Sequence, residues 1–95
     1  MTTLETYPTF TDPDGVLQPF KGVTTGRHAK RVVSYWRKDA SEPWKRFGNS
    51  VSVDAMDKRM RHIEKQGWKI RYSIIDMDNQ LTIKQIETIN KENNK

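Results

Sequence analysis

Three stretches of the chain are rich in β-branched and aromatic side chains, which are typical of β-strands. Residues 30–38 alternate apolar and polar positions and predict one strand, and residues 44–47 predict a second one beyond a polar loop. Residues 68–75 alternate most regularly and predict a third strand. The large apolar side chains of this third strand share one face: Trp68, Ile70, Tyr72 and Ile74.

Between the second and third predicted strands, the apolar positions follow the period of a helix. They recur at intervals of four and three residues: Met56, Met60 and Ile63. Ser52 or Asp54 is suited to cap the start of this helix, and Gly67 to take the left-handed conformation just beyond its end. We expect this helix to pack its apolar stripe on the sheet, against Trp68, Ile70, Tyr72 and Val33.

The first 26 residues have the composition of an extended arm, because prolines, glycines and threonines recur throughout them. The segment Asp12-Pro13-Asp14-Gly15 predicts a turn, since proline presets φ and glycine tolerates the positive φ that follows. This arm is nevertheless more apolar than a pure linker, and we expect part of it to lie across a groove on this protein or on a partner. Its apolar residues are Tyr7, Phe10, Val16, Leu17 and Phe20.

The C-terminal part of the chain supports two interpretations. Leu81 and Ile83 alternate with polar residues, which favours a strand from residue 80 to about residue 86. Thr82 and Gln85 have the spacing of a capping box, which favours a helix instead. We favour the strand, followed by a disordered tail over residues 90–95.

Together these elements predict the α+β class. We expect a small, open, mainly antiparallel sheet of three or four strands, with one helix packed on a face and an extended N-terminal arm. The arm covers residues 1–26, a single α+β domain covers residues 27–89, and the tail covers residues 90–95. A domain of roughly 65 residues has a marginal core, which favours a partner or an oligomer that completes it.

Composition narrows the class of protein. The chain has 95 residues and no cysteine, which excludes disulfides and thiolate-bound zinc. No run of the sequence approaches the ~20 apolar residues of a membrane span, and the first residues lack the basic and apolar regions of a secretory signal. We therefore expect a cytoplasmic protein.

The net charge of +5 conceals a strongly basic middle. Residues 21–71 hold fourteen Lys or Arg against five Asp or Glu, a net charge of +9. Residues 1–20 carry −3 and residues 72–95 carry −1. A basic segment of this kind attracts polyanions such as nucleic acid, anionic lipid or the acidic face of another protein.

The sequence contains no constellation that is typical of catalysis. His28 and His62 lack further ligands at metal-binding spacing, and the glycines at residues 22 and 26 do not have the P-loop pattern. The acidic residues at 76 and 78 match only part of a calcium-binding loop. We expect no enzymatic activity, no cofactor and no metal site.

Basic side chains interleaved with aromatic ones are the strongest functional signal. Trp, Tyr and Arg are the usual anchors of protein interfaces, so we expect a small non-enzymatic binding or adaptor protein that docks on an acidic protein partner. The alternative is a nucleic-acid-binding protein that uses a basic–aromatic sheet face to stack bases. The predicted partner-binding residues are Arg27, Lys30, Arg31, Tyr35, Trp36, Arg37, Lys38, Trp44, Lys45, Arg46, Lys69 and Arg71.

Two motifs carry a resemblance to a known family. The segment Arg31-Val32-Val33-Ser34-Tyr35 is similar to a strand of the form Arg-Val-x-x-Tyr, and residues 60–70 are similar to a short helix that ends in an Ile-x-basic-x-Gly-Gly-Lys-Ile signature. On these motifs, residues 31–75 resemble the small linker domain of the rod-capping phycobilisome linkers of cyanobacteria. Trp68 stands where that family has the second glycine. The resemblance implies a non-catalytic basic adaptor that docks in the cavity of an acidic, ring-shaped assembly.

Overall fold

The computed structural model describes residues 5–93, which form six strands and three helices. The strands are, in chain order, β1 (Tyr7–Thr11), β2 (Leu17–Pro19), β3 (Val32–Arg37), β4 (Lys45–Ser50), β5 (Lys69–Ile74) and β6 (Asp76–Leu81). The helices are α1 (Val53–Arg59), α2 (Arg61–Lys65) and α3 (Ile83–Asn93). The α+β class is confirmed.

The strands form two antiparallel sheets, where the sequence predicted one. The central sheet has the order β4-β3-β5, and the N-terminal sheet has the order β2-β1-β6. All pairings within both sheets are antiparallel. The expected single sheet corresponds to the central sheet alone. The N-terminal sheet lies outside that prediction, because its pairing of β1 with β6 joins segments from the two ends of the chain.

The helices α1 and α2 cover one face of the central sheet. The Ser52 side chain accepts a hydrogen bond from the N–H of Ala55 at the start of α1, and Gly67 has a φ of 77° beyond the end of α2. The predicted helix is interrupted only at Met60, which lies between α1 and α2. The apolar stripe, Met56, Met60 and Ile63, is buried and packs against Trp36, Phe47, Trp68, Ile70 and Tyr72.

The predicted contact between Val33 and the helix stripe is wrong. The hydroxyl of Ser34 lies 3.2 Å from Sδ of Met56, so Ser34 faces the helices. Because successive side chains of a strand point to opposite faces, Val33 and Tyr35 face away from the helices. They are buried there in a second cluster with Phe10, Phe20 and Ile75. The alternation along β3 separates the two faces, but it does not indicate which face the helices cover.

The β1–β2 hairpin packs on the central sheet, where the sequence predicted an extended arm. Oδ1 of Asp12 accepts hydrogen bonds from the N–H groups of Asp14 and Val16, which shapes the predicted turn. Phe10 and Phe20 are 2% and 1% exposed, and their rings meet edge to face with centroids 6.5 Å apart. Two apolar residues of the predicted arm, Phe10 and Phe20, therefore pack on this protein itself.

The favoured strand over residues 80–86 is wrong beyond Leu81, and the alternative, a helix after the capping box, is correct. The strand β6 ends at Leu81, and the helix α3 begins at Ile83. The capping box is formed, because Thr82 N–H donates to Oε1 of Gln85 and Gln85 N–H donates to Oγ1 of Thr82. The helix continues to Asn93, so the first four residues of the predicted disordered tail are helical, while residues 94 and 95 lie outside the described residues.

Hydrogen bonds from the side chain of Asn90 join the C-terminal helix to the N-terminal sheet. The amide of Asn90 donates to the carbonyl of Leu17 and accepts from its N–H, at 3.0 and 2.9 Å. Ile86 is buried on the same helix. Among the helices within residues 5–93, none is long and apolar enough to cross a membrane.

Candidate functional site

The predicted partner-binding residues fall into two groups at opposite ends of the central sheet. Arg27, Lys30 and Arg31 precede β3, and the N–H of Arg31 donates to the carbonyl of Ser50 at the end of β4. The remaining nine residues lie at the other end of β3. Five residue steps along a strand separate the two ends by about 16 Å. The first three residues therefore do not share a compact site with the others.

We call the second group the basic–aromatic end of the central sheet. Its members are Tyr35, Trp36, Arg37, Lys38, Trp44, Lys45, Arg46, Lys69 and Arg71. The strand register brings them together, because Trp36 pairs with Lys45 on one side of β3 and Arg37 pairs with Lys69 on the other. Residues that are distant in sequence thus converge at one end of the central sheet. This end contains the loop between β3 and β4 and the start of β5.

On the face that the helices cover, the basic–aromatic end carries a pair of stacked indoles. The rings of Trp36 and Trp68 lie 5.1 Å apart at an interplanar angle of 21°. Nζ of Lys45 lies 4.9 Å from the Trp36 centroid, and Nζ of Lys38 lies 5.3 Å from the Trp68 centroid. Each of these contacts has cation–π geometry. Trp68 was absent from the predicted set, although the basic–aromatic run around it was the available signal.

On the opposite face, Trp44 carries two guanidinium groups. Cζ of Arg37 lies 4.2 Å and Cζ of Arg71 lies 6.0 Å from the centroid of its ring. Beside this group is a cleft of about 350 Å³. We call it the Trp44 cleft, and its lining residues are Arg37, Ala40, Trp44, Lys69, Ile70 and Arg71.

Tyr35 does not belong to the surface of this site. It is 8% exposed and packs in the cluster between the two sheets. Burial raises the pKa of its phenol, and the nearby Arg46 opposes that shift. The predicted role of Tyr35 in partner binding is therefore replaced by a role in the core.

The loop between β3 and β4 is shaped by a short side-chain turn. Asp39 accepts hydrogen bonds from the hydroxyl and the N–H of Ser41. These hydrogen bonds lower the pKa of the Asp39 carboxyl, and the charge of Arg37 adds to the effect. The loop thus holds its carboxylate in an internal turn, next to the cations of the basic–aromatic end.

The cations of this end are almost free of acidic partners. Among residues 5–93 the structure contains one ion pair, between Nζ of Lys45 and Oε2 of Glu42 at 3.7 Å. The Nε–H of Arg37 is buried and has no acceptor within the described part of the chain, and its Nη1 makes only a long hydrogen bond of 3.5 Å to the carbonyl of Glu42. A buried donor without an acceptor costs about 1–3 kcal/mol. The site is therefore a cluster of positive charge on aromatic rings, in which Lys45 has an ion-pair partner.

A second tyrosine links the helices to the central sheet. The hydroxyl of Tyr72, on β5, donates a hydrogen bond to Oδ1 of Asp57 on α1. Burial raises the pKa of Tyr72, and the hydrogen bond and the charge of Asp57 raise it further. The neutral phenol is thus favoured in the folded state.

Tyr72→Phe is expected to flatten the loss of stability at alkaline pH. Because the pKa of Tyr72 is higher in the folded than in the unfolded state, this phenol stabilises the folded protein. The contribution is complete below the ordinary tyrosine pKa of 10.0 and is lost as the pH rises above it. Wild type should therefore lose stability more steeply above this pH than the variant does. At neutral pH the variant should be less stable by about 1 kcal/mol, because the hydrogen bond is absent. Urea unfolding across this range measures both effects, and parallel curves would contradict the first.

The titratable residues of the described chain do not gather into a metal site. Within residues 5–93 no group of three or more His, Asp or Glu side chains is placed to hold an ion. His28 and His62 are both exposed, and His62 lies 6.1 Å from the ring of Phe47. None of the protein-family models, curated proteins or solved structures compared with this chain matches it.

Proposed function

We propose that this chain is a non-enzymatic binding or adaptor protein that docks on an acidic protein partner through the basic–aromatic end of the central sheet. The observation that carries the proposal is the convergence of three indoles and six cations at this end of the sheet, where the described residues provide one ion pair. Arg37, Lys38 and Lys69 have no ion pair with any described residue, and Lys45 has one at 3.7 Å. An acidic partner surface supplies the missing charges, and the half-buried indoles supply apolar anchors.

The same cations favour a protein partner over a nucleic acid. Each tryptophan ring already has a Lys or Arg over it, at 4.2 to 5.3 Å from the centroid. A nucleic-acid base needs an open aromatic face on which to stack, so it has to displace these cations first. A carboxylate approaches the outer side of the cations and leaves their contacts with the rings in place.

The resemblance of residues 31–75 to the rod-capping linker domain supports the same proposal. That family implies a basic, non-catalytic adaptor inside an acidic, ring-shaped assembly. We place this function in the cytoplasm, because a chain without cysteine suits a reducing compartment.

The proposal is tested by capture from a nuclease-treated lysate of the native host, with the full chain immobilised. We expect an acidic protein to be retained. The triple variant Lys38→Gln, Lys45→Gln and Arg71→Gln is expected to reduce the retention of this acidic protein by about tenfold or more. Each charge pair across an interface contributes a modest amount to binding, and the loss of three pairs together reaches this scale.

The matched control removes the same charge from the helices, with Lys58→Gln, Arg61→Gln and Lys65→Gln. All three residues are exposed. We expect this control to retain the partner within about twofold of wild type, since exposed charges outside an interface contribute little to binding. Equal losses in both triple variants, or capture that disappears on nuclease treatment, would contradict a specific acidic protein partner.

The alternative function is single-stranded nucleic-acid binding by the same end. It is favoured by three tryptophans and six exposed or half-buried cations that converge there. It predicts that a labelled oligonucleotide binds at low salt and that its affinity falls steeply as salt rises. Fluorescence anisotropy measures this, and an oligonucleotide that does not bind even at low salt removes the alternative.

A further inference from the structure

The Trp44 cleft combines three cations with one aromatic ring. Arg37 and Arg71 lie over the ring of Trp44, and Lys69 lines the same space. Ala40 and Ile70 complete the lining, and none of the six lining residues is acidic. The cleft is therefore a place where positive charge meets apolar surface, without a counter-charge from its own walls.

We propose that the Trp44 cleft is a subsite for a carboxylate side chain of the acidic partner. The inference rests on the proposed function and names the group that enters this part of the site. The guanidinium of Arg71 and the ammonium of Lys69 bind the carboxylate oxygens, while Arg37 stays over the ring of Trp44 and contributes its charge. Arg forms paired hydrogen bonds with carboxylates, which gives such a subsite directional specificity.

The dimensions of the cleft favour an acidic side chain over a free anion. A volume of about 350 Å³ accommodates a side chain together with part of a neighbouring residue. The methylene groups of Glu or Asp then lie against Trp44 and Ala40, and the carboxylate reaches the cations.

The test is an NMR titration of the isotope-labelled full chain with a hexaglutamate peptide at low ionic strength. We expect the indole N–H of Trp44 and the backbone amides of Ala40 and Ile70 to shift together along one binding curve. Arg71→Gln is expected to weaken the peptide affinity by about tenfold, and Arg71→Lys by several-fold, because Lys keeps the charge and loses the paired hydrogen bonds. Arg61→Gln removes the same charge from the exposed surface of α2 and should leave the affinity within about twofold of wild type.

Two further titrations distinguish other ligands. Inorganic phosphate and an oligothymidylate are added in place of the peptide. If either one shifts the cleft signals while hexaglutamate does not, the carboxylate subsite is overturned. The same conclusion follows if Arg71→Gln and Arg61→Gln weaken the peptide equally, since binding then reflects the overall field of the protein.

Failure of this inference is distinguishable from failure of the proposed function. If the acidic partner is captured from nuclease-treated lysate and the cleft signals do not move with hexaglutamate, the partner docks without filling the cleft and only the subsite is wrong. If no acidic partner is captured and the peptide shifts no signal at the basic–aromatic end, both proposals are wrong.

Discussion

Phe20→Ala is expected to lower the free energy of unfolding by about 3–5 kcal/mol. The ring of Phe20 is 1% exposed and packs between the two sheets with Phe10, Val33 and Ile75. The site is also tightly filled, because a Cβ added at Gly22 would lie 2.6 Å from Cζ of the Phe20 ring. A deletion of this size removes a large part of the total stability of a small domain, which is about 5–15 kcal/mol. Urea unfolding monitored by far-UV circular dichroism measures the change.

The control for this prediction is Val23→Ala, in the segment that follows. Val23 is 55% exposed, so its substitution should change the stability by no more than about 0.5 kcal/mol. If Phe20→Ala has an equally small effect, then the β1–β2 hairpin does not share the core of the central sheet. In that case the interpretation of residues 1–26 as an extended arm is restored.

The elements that the sequence predicted correctly depend on local interactions. The helix stripe of Met56, Met60 and Ile63, the cap at Ser52 and the positive φ of Gly67 each involve residues within a few positions of one another. The periods of helix and strand fix such features directly. The capping box at Thr82 was also visible in the sequence, but the alternation of Leu81 and Ile83 favoured a strand, and the structure shows that the strand ends at Leu81.

The second sheet could not be predicted because its pairing is long-range. Tyr7 pairs with Leu81 across almost the whole chain, and nothing local to either residue indicates the other. The same reason explains the error at Val33, whose face depends on where the β1–β2 hairpin packs. An N-terminal segment rich in proline and glycine has the local composition of an arm, while the burial of Phe10 and Phe20 is decided by tertiary contacts.

The candidate site was predicted in composition but not in geometry. The basic–aromatic runs correctly marked Trp36 and Trp44 as close to the β3–β4 loop. The strand register then places these two rings on opposite faces of the sheet, stacks Trp36 on Trp68, and leaves Trp44 between two arginines. Residue types indicate which interactions are available, and only the pairing of β3 with β4 and β5 decides which of them form.

Met60→Ala is the second substitution with a large expected effect, a loss of about 3 kcal/mol in the free energy of unfolding. Met60 is fully buried at the junction of α1 and α2, in the cluster that supports Trp36 and Trp68. Truncation leaves a cavity beneath the stacked indoles, so the near-UV circular dichroism of the tryptophans should weaken as well. Unchanged stability would show that the helices contribute little to the core, and an unchanged tryptophan signal would show that the stack does not depend on them.

Met60→Ala also tests whether the two clusters are independent, when it is combined with the milder Phe20→Leu. Met60 and Phe20 pack on opposite faces of β3, in clusters that share no buried residue. Substitutions at separate sites of this kind add to within about 0.5 kcal/mol. A coupling energy above about 1 kcal/mol would mean that β3 transmits packing between its faces. If the effects add, Met60→Ala should weaken the near-UV signal of the stacked indoles and Phe20→Leu should not, because the stack of Trp36 and Trp68 packs on the helix-side cluster.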